Sequence, residues 1–219
     1  MGNIEDLLSM SHELSRHTVG AEGNTSVRMD NYFFIKASGC ELRSLREDQI
    51  IKCDLKGNQL NNFHLKPSLE TNFHSLMYEK TDCIYVAHTH PTETLKIICT
   101  NNVDKFSKER IFPDQVVYNG EESCVVDYAH PGTELRINIQ KSLEQYIQIK
   151  KYFPDLFLLK NHGIICIGKT AKKCVFSTDI CEKAANIFLS PLEGINFLSP
   201  IEKKKIVNDK KEKYRREKA

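Results

Sequence analysis

The spacing of apolar and polar positions along the chain predicts a mixture of helices and strands. In several long segments apolar side chains recur every three or four residues, which places them on one buried face of a helix. These segments alternate with shorter runs of strand-forming residues, so the chain is predicted to be a mixed α and β protein. The predicted helices are Ile4–Arg16, Ser68–Glu79, Thr92–Thr100, Glu134–Lys150 and Thr170–Leu189.

The strands are predicted from short runs rich in β-branched and aromatic residues. The apolar runs LFLLK and IICIG flank Asn161-His162-Gly163, a pattern that favours a β-hairpin with His162 in its turn. Residues Ile111–Tyr118 are interpreted as a loop that enters a further strand. The other predicted strands are Tyr32–Ala37, Ile50–Asp54, Cys83–His90 and Val125–Ala129.

Two histidines end the run Cys83–His90, CIYVAHTH. A strand has a period of two, so His88 and His90 project from one face about 7 Å apart. The hairpin turn can deliver His162 to the same place. Three imidazoles with an open fourth position are typical of a catalytic rather than a structural zinc. The sequence therefore predicts a zinc site, which manganese or cobalt could also fill.

Two small polar turns are suited to binding an anion. The segment Gly20–Arg28 carries Asn, Thr and Ser side chains and flexible backbone amides that can hold a phosphate. The same residues also suit a simple tight turn before a strand. A second polar turn, Ser38-Gly39, suggests that the two turns share one pocket.

Glu70 lies in the first turn of the helix that Ser68 is predicted to cap. A carboxylate there is favoured by the helix dipole, which would make its role purely structural. It can also be an acid/base group aimed at the metal, and the two roles are compatible. A metal beside a proton-transferring carboxylate suits chemistry next to a carbonyl, or metal-assisted hydrolysis.

Length and composition set broad limits. The 219 residues fit one domain, and the apolar fraction of 40% and charged fraction of 27% are ordinary for a globular protein. No apolar run approaches the roughly 18 to 20 residues of a membrane span, and the N-terminus lacks the basic residues of a secretory signal. These features predict a cytoplasmic protein that does not bind membranes.

The net charge of +2 is a property of the C-terminal segment. Residues 200–219 hold nine basic and four acidic side chains, or +5, which leaves −3 for the rest. Residues 191–219 are predicted to be a basic tail that is helical or disordered. Because the tail has no interleaved aromatic residues beyond Tyr214, nucleic acid is not the favoured partner.

Six separated motifs resemble the class II aldolase and adducin head family in order and spacing, over roughly residues 4–190. The resemblance is more specific than any one motif, since all six would have to coincide. The motifs are Gly23-Asn24-Thr25-Ser26, Ser38-Gly39, Pro67-Ser68-x-Glu70-x-x-x-His74, His88-Thr89-His90-Pro91, Tyr128-Ala129-x-Pro131-Gly132 and Asn161-His162-Gly163.

The resemblance implies a single three-layer α/β domain over residues 1–190, with a central, mostly antiparallel sheet flanked by helices. It also implies a homotetramer with its sites at subunit interfaces. The three histidines match the family's zinc ligands, and Glu70 matches its acid/base residue. Leu69 stands where the fuculose phosphate enzyme has a second serine. The positions that match those holding the substrate phosphate are Asn24, Ser38, Gly39 and Ser68.

The expected function is a zinc-dependent aldolase that cleaves or forms a carbon–carbon bond in a phosphorylated ketose through a metal-stabilised enediolate. A sugar-phosphate 4-epimerase or a methylthioribulose-1-phosphate dehydratase are alternatives within the family. A non-catalytic interaction module, like the adducin head, is an alternative from another class. Its mark would be loss of the metal histidines, and this chain keeps all three.

Overall fold

A computed structural model describes residues 2–61, 63–191 and 194–218. Within these residues, seven strands form one sheet in the order β3-β2-β1-β4-β7-β6-β5. The strands are β1 (Asn24–Arg28), β2 (Tyr32–Lys36), β3 (Ile50–Asp54), β4 (Tyr85–Thr89), β5 (Cys124–Val126), β6 (Leu156–Leu159) and β7 (Gly163–Gly168).

Every neighbouring pair of strands is antiparallel except β5 and β6, which are parallel. The expectation of a mostly antiparallel sheet is therefore confirmed. Strand β4 is central, and His88 lies opposite Asn24 of β1 on one side and Ile165 of β7 on the other. The middle three strands thus bring together segments distant in sequence.

Helices cover both faces of the sheet and complete a three-layer domain. On one face α2 and α6 contribute Phe73 and Leu135 to a core that includes Val86 of β4. On the other face the neighbouring β4 residue, Ala87, packs with apolar residues of α1, α3 and α7. The helices are α1 (Ile4–Leu14), α2 (Thr71–Lys80), α3 (Thr92–Ile98), α4 (Val103–Lys108), α5 (Pro113–Asn119), α6 (Thr133–Lys150), α7 (Ala171–Phe188), α8 (Pro200–Asn208) and α9 (Lys210–Lys218).

The prediction that Ile111–Tyr118 leads into a strand is wrong, because the segment forms α5. Pro113 occupies the first helical turn, where its missing N–H costs nothing, and Gly120 ends the helix with a left-handed φ of 74°. The apolar residues Val117 and Tyr118 pack against Ile180 of α7 and Ile206 of α8 rather than on the sheet.

Helix α2 begins at Thr71 and not at Ser68, so the predicted cap is also wrong. The backbone carbonyl of Ser68 accepts hydrogen bonds from the Thr71 amide and hydroxyl, and the Ser68 hydroxyl accepts one from the Glu70 amide. These bonds fold residues 68–71 into a turn. Glu70 directly precedes α2, but its side chain makes no capping hydrogen bond to the helix. Its carboxylate is therefore free to contact other groups.

The predicted tail, residues 191–219, contains α8 and α9, while its residues 192, 193 and 219 lie outside the described ranges. Ser199 opens α8 with a capping box to Glu202. The Lys203 ammonium donates to the Lys108 carbonyl at 2.8 Å, and Arg215 forms an ion pair with Asp114. The tail helices therefore dock on α4 and α5. The division into a domain and a tail remains a prediction.

Two further features concern the chain as a whole. All eight cysteines are free thiols, and six of them are buried. Among the helices in the described ranges, none is both long and apolar enough to cross a membrane.

Arg110 joins α4, α5 and β5 from a buried position. Its side chain is 1% exposed, and burial lowers the pKa of its guanidinium. The guanidinium donates to the backbone carbonyls of Ser107, Glu109, Asn119 and Gly120 and to the Ser123 hydroxyl, at 2.8–3.3 Å. One side chain thus satisfies carbonyls at the ends of two short helices.

We expect Arg110→Met to destabilise the protein by on the order of 3 kcal/mol, because it leaves several buried carbonyls without donors. The free energy of unfolding, measured by urea denaturation, tests this. Arg43→Met is the matched control, since Arg43 is exposed and its loss should cost less than about 0.5 kcal/mol. Equal stabilities for the two variants would contradict the role given to Arg110.

Candidate metal centre

The three predicted histidines converge on one point. His88 lies in β4, His90 directly follows that strand, and His162 lies in the turn between β6 and β7. One ring nitrogen from each histidine lies within 4.8 Å of the other two. His88 is fully buried, and the other two are partly exposed. The group can therefore hold a metal ion that a ligand reaches from one side.

A close approach between two backbones makes this convergence possible. Strands β4 and β7 pair antiparallel, with Thr89 opposite Ile164, so the turn at His162 meets the end of β4. A Cβ added at Gly163 would lie 2.5 Å from Cδ2 of His90 and 2.6 Å from the Thr89 carbonyl oxygen. Only glycine fits at that position.

The hydrogen bonds of His88 define which of its nitrogens can bind a metal. Its Nδ1 lies 2.9 Å from the carbonyl oxygen of Ile164, which can only accept, so Nδ1 carries the proton. Its Nε2 therefore presents a lone pair, and it lies 3.0 Å from Nε2 of His90. Burial lowers the pKa of His88, and lowers that of His90 to about 4. Neutral imidazoles facing each other in this way suit a shared divalent cation.

The Glu70 carboxylate lies beside two of the three imidazoles, those of His88 and His162. Its carboxylate oxygens lie 3.2 Å from Nε2 of His88 and 3.1 Å from Nε2 of His162. Burial by itself raises the pKa of Glu70, but the two imidazoles and a hydrogen bond from Asn24 outweigh burial and hold the pKa below its ordinary value. Three imidazoles and one ionised carboxylate form a donor set that fits zinc or a similar divalent metal.

A chain of hydrogen bonds holds the carboxylate in place. The Asn24 amide nitrogen donates to Glu70 at 2.7 Å, so the Asn24 oxygen must accept from Nε2 of His74, 2.5 Å away. Nδ1 of His74 then accepts from the Ser26 hydroxyl at 2.6 Å, which in turn contacts the Tyr78 hydroxyl at 2.5 Å. Burial lowers the pKa of His74 to about 3, so His74 is neutral. His74 therefore holds Asn24, which in turn holds the Glu70 carboxylate. Ser26 and Tyr78 also belong to this hydrogen-bond chain, and the sequence did not indicate their roles.

Glu22 is a third residue whose role the sequence did not indicate. Its carboxylate lies 3.5 Å from Nδ1 of His90 and accepts a hydrogen bond from the Val19 amide at 2.9 Å. A carboxylate beside Nδ1 favours the tautomer that leaves Nε2 free for a metal. Its position directly before Gly23-Asn24 was the available signal.

The four predicted phosphate residues lie in two groups. Ser38 and Gly39 form an exposed turn, and the isolated bridge between Ala37 and Pro67 brings that turn beside buried Ser68. The Asn24 side chain is instead engaged with Glu70 and His74. Their roles toward a phosphate remain predictions.

We expect Gly163→Ala to weaken zinc binding by at least about tenfold, because the added methyl group displaces His90 or the end of β4. Isothermal titration calorimetry with zinc measures the effect. Gly20→Ala is the control: an added Cβ there meets nothing within 4 Å, so only left-handed backbone strain of about 1 kcal/mol is introduced. Unchanged zinc affinity in Gly163→Ala would contradict the close approach.

The neutral state of His74 predicts a pH dependence of stability. The unfolded histidine titrates near 6.5 and the folded one near 3, so its contribution is fully present above 6.5 and is lost as the pH falls toward 3. We expect His74→Gln, which can keep both hydrogen bonds, to reduce the slope of unfolding free energy by up to about 1.4 kcal/mol per pH unit. Urea denaturation of metal-free protein measures the slope; identical slopes in variant and wild type would contradict a neutral His74.

The chain is similar to known proteins over most of its length. The family model for the Class II Aldolase and Adducin N-terminal domain matches residues 6–189. The L-fuculose phosphate aldolase of Methanococcus maripaludis strain C7 is 29% identical over 174 residues, which cover 78% of this chain and 87% of that protein. The 3-oxo-tetronate 4-phosphate decarboxylase of Haemophilus influenzae is also 29% identical, over 196 residues that cover 88% and 89%.

Solved structures confirm the fold. The YgbL protein of Klebsiella pneumoniae superimposes with a TM-score of 0.79 at 24% identity, covering 92% of this chain and 96% of its own. An L-fuculose 1-phosphate aldolase superimposes with a TM-score of 0.78 at 21% identity, covering 96% and 95%. Both support a single α/β domain, and the match of the family model to most of the chain identifies its family. The chain belongs to the class II aldolase and adducin family.

Proposed function

We propose that the protein is a metal-dependent aldolase that forms or cleaves a carbon–carbon bond in a phosphorylated ketose, with zinc as the metal. The observation that carries this proposal is the position of the Glu70 carboxylate between the imidazoles of His88 and His162. A bound metal ion can polarise a carbonyl group, and a carboxylate at the same point can move a proton to or from the carbon next to that carbonyl.

Each group has a definite role in this reaction. His88, His90 and His162 would hold the ion, which when bound acts as a Lewis acid toward the substrate carbonyl. Glu70 is ionised, since its pKa is held below the ordinary value, and an ionised carboxylate can accept a proton. In the condensation direction Glu70 takes a proton from the carbon next to the carbonyl. That carbon then bonds to an aldehyde carbon, whose oxygen becomes a hydroxyl by taking up a proton.

The hydrogen-bond chain behind Glu70 supports its role as a base. Substrate needs the space that Glu70 occupies beside the imidazoles, so the carboxylate has to turn aside when substrate binds. The Asn24 amide, held by His74, gives the carboxylate a fixed anchor on the other side. The Glu70 side chain can then move away from the imidazoles while its hydrogen bond to Asn24 keeps it in the site.

We propose that the substrate phosphate binds between the turn at Ser38-Gly39 and Ser68. Backbone amides and a hydroxyl are suitable donors to phosphate oxygens. Ser68 is only two residues before Glu70, so a phosphate there places the adjoining carbons near the base. The next residue, Leu69, is 75% exposed and has no hydroxyl group, so it cannot add a second hydroxyl contact to the phosphate.

Decarboxylation of a 3-oxo sugar-acid phosphate is the second candidate, and the Haemophilus influenzae relative favours it. Loss of carbon dioxide leaves a carbanion next to a carbonyl, which needs the same polarised oxygen and a proton donor at the same place. Dehydration and 4-epimerisation of a sugar phosphate are two further candidate reactions. A methylthioribulose-1-phosphate dehydratase of Geobacillus is 28% identical to this chain over 162 residues. An adducin-like interaction module is disfavoured, because the histidines and Glu70 are all assembled.

We also propose that the protein acts in the cytoplasm as a homotetramer. The large apolar side chains of Val19 and Leu69, 79% and 75% exposed, stand close in sequence to the site residues Glu22 and Glu70. A neighbouring subunit that covers them would place the site at an interface, as the family resemblance implies.

Glu70→Gln should retain zinc but lose proton exchange between solvent and dihydroxyacetone phosphate, by at least about a hundredfold. Proton exchange measured by NMR in deuterated buffer isolates this step from the cleavage itself. Zinc content measured alongside is the control for an intact metal centre. Exchange at the wild-type rate would remove Glu70 from the mechanism.

Product analysis with a panel of substrates separates the candidate reactions. The panel holds pentulose and hexulose phosphates, methylthioribulose 1-phosphate and a 3-oxo sugar-acid phosphate. An aldolase releases an aldehyde and dihydroxyacetone phosphate from a ketose phosphate, whereas a decarboxylase releases carbon dioxide from the sugar acid. If no member of the panel reacts with the zinc-loaded protein, the proposed activity is wrong.

A further inference from the structure

His90 lies just beyond the strand that carries its neighbour His88. The paired residues of β4 and β7 end with Thr89 opposite Ile164, and His90 is the next residue. Its backbone amide donates at 3.1 Å to the carbonyl of His17, which lies in a short helical turn after α1. The position of His90 therefore depends on segments packed beside the end of β4.

Helix α7 fixes His17 through a carboxylate. Nε2 of His17 donates to Asp179 at 2.8 Å, because an ionised carboxylate can only accept, and Arg16 donates to the same carboxylate. Burial by itself raises the pKa of Asp179, but these two hydrogen bonds outweigh burial and lower the pKa. The His17 side chain is 11% exposed. An ionised group on α7 thus holds the residue whose carbonyl receives the His90 amide.

A second carboxylate of α7 holds the chain on the other side of His90. Helix α3 begins two residues after His90, and the residue before it, Pro91, supplies no capping side chain. The Glu182 carboxylate instead accepts from the amides of Glu93 and Thr94 at 2.8 and 2.9 Å and from the Thr94 hydroxyl at 2.9 Å. A negative charge at the first turn of a helix is favourable. Glu182 therefore anchors the start of α3.

The two carboxylates act from one surface. Asp179 and Glu182 lie three residues apart, so they share one face of α7. Helix α7 also packs in one apolar core with α1, which precedes His17, and with α3. Apolar packing is not directional, whereas each carboxylate bonds to defined donors beside His90. Helix α7 is therefore placed to hold the His90 segment at two points.

We propose that Asp179, acting through His17, and Glu182, acting through α3, are positioning residues that keep His90 in place to bind the metal. The inference rests on the proposed binding of a metal ion by the three histidines. It predicts that loss of either carboxylate weakens metal binding, and that it does so only through His90.

A double-mutant cycle with His90 tests this dependence. Isothermal titration calorimetry measures the zinc dissociation constants of wild type, Asp179→Asn, His90→Ala and the variant that carries both substitutions. Glu182→Gln replaces Asp179→Asn in a second cycle. Each amide keeps the size of the side chain but removes its charge and one acceptor oxygen.

Matched controls change the same chemical groups elsewhere. Asp82→Asn removes a carboxylate that pairs with Lys169 near the other end of β4, and Glu93→Gln removes one that pairs with Lys96 on α3. Both controls should keep the wild-type zinc affinity. The visible absorption spectrum of the cobalt-loaded proteins is a second readout, because it depends on the number and geometry of the metal ligands.

We expect Asp179→Asn and Glu182→Gln each to weaken zinc binding by about tenfold, because a metal ligand that loses its supporting contacts binds less well. In the His90→Ala background neither substitution should weaken zinc binding by more than about twofold. The cobalt spectra of the single variants should shift toward that of His90→Ala. If Asp179→Asn does not fold, His17→Leu removes the same hydrogen bond with the same expectation.

Three results would overturn the inference. Wild-type zinc affinity in Asp179→Asn or Glu182→Gln excludes positioning by that carboxylate. Weakening that persists in full in the His90→Ala background shows that the carboxylates support the fold as a whole. These two results leave the proposed metal centre standing. If wild type and His90→Ala bind zinc equally, His90 is not a metal ligand, and the proposed metal centre fails together with the inference.

Discussion

The antiparallel pairing of β4 with β7 is the contact on which the candidate site depends. It brings the β6–β7 turn against the end of β4, so that His162 from late in the chain meets His88 and His90 from its first half. The approach is so close that a single methyl group at Gly163 would collide with His90 and with the β4 backbone. On the other side of β4, strand β1 pairs with it and places Asn24 opposite His88.

The protonation states of the site residues determine what the site can bind. Burial keeps His88 and His90 neutral, whereas the surrounding donors keep Glu70 ionised despite its burial. Lone pairs and one negative charge therefore face the same small space, where a divalent cation is favoured and a proton acceptor is at hand. The hydrogen bonds of Asn24 to Glu70 and to His74 fix the surroundings of that space.

Much of this could be predicted from the sequence, because local patterns carried it. The strand period placed His88 with His90, and the apolar runs on either side of Asn161-His162-Gly163 indicated the hairpin. Prediction failed where tertiary contacts decided the outcome. Residues 113–119 form a helix because their apolar residues face α7 and α8, although the run itself suits a strand. The position of Glu22 beside His90 depends on how folding brings the first polar turn to the end of β4, and no local pattern encodes that.

We propose that His88, His90 and His162 together hold one catalytic metal ion. X-ray absorption spectroscopy of protein reconstituted with one equivalent of zinc tests it most directly. We expect three imidazole nitrogens at about 2.0–2.1 Å from the zinc, together with oxygen from Glu70 or water. A spectrum with cysteine sulfur at about 2.3 Å, or with fewer than three imidazoles, would contradict zinc binding by the three histidines.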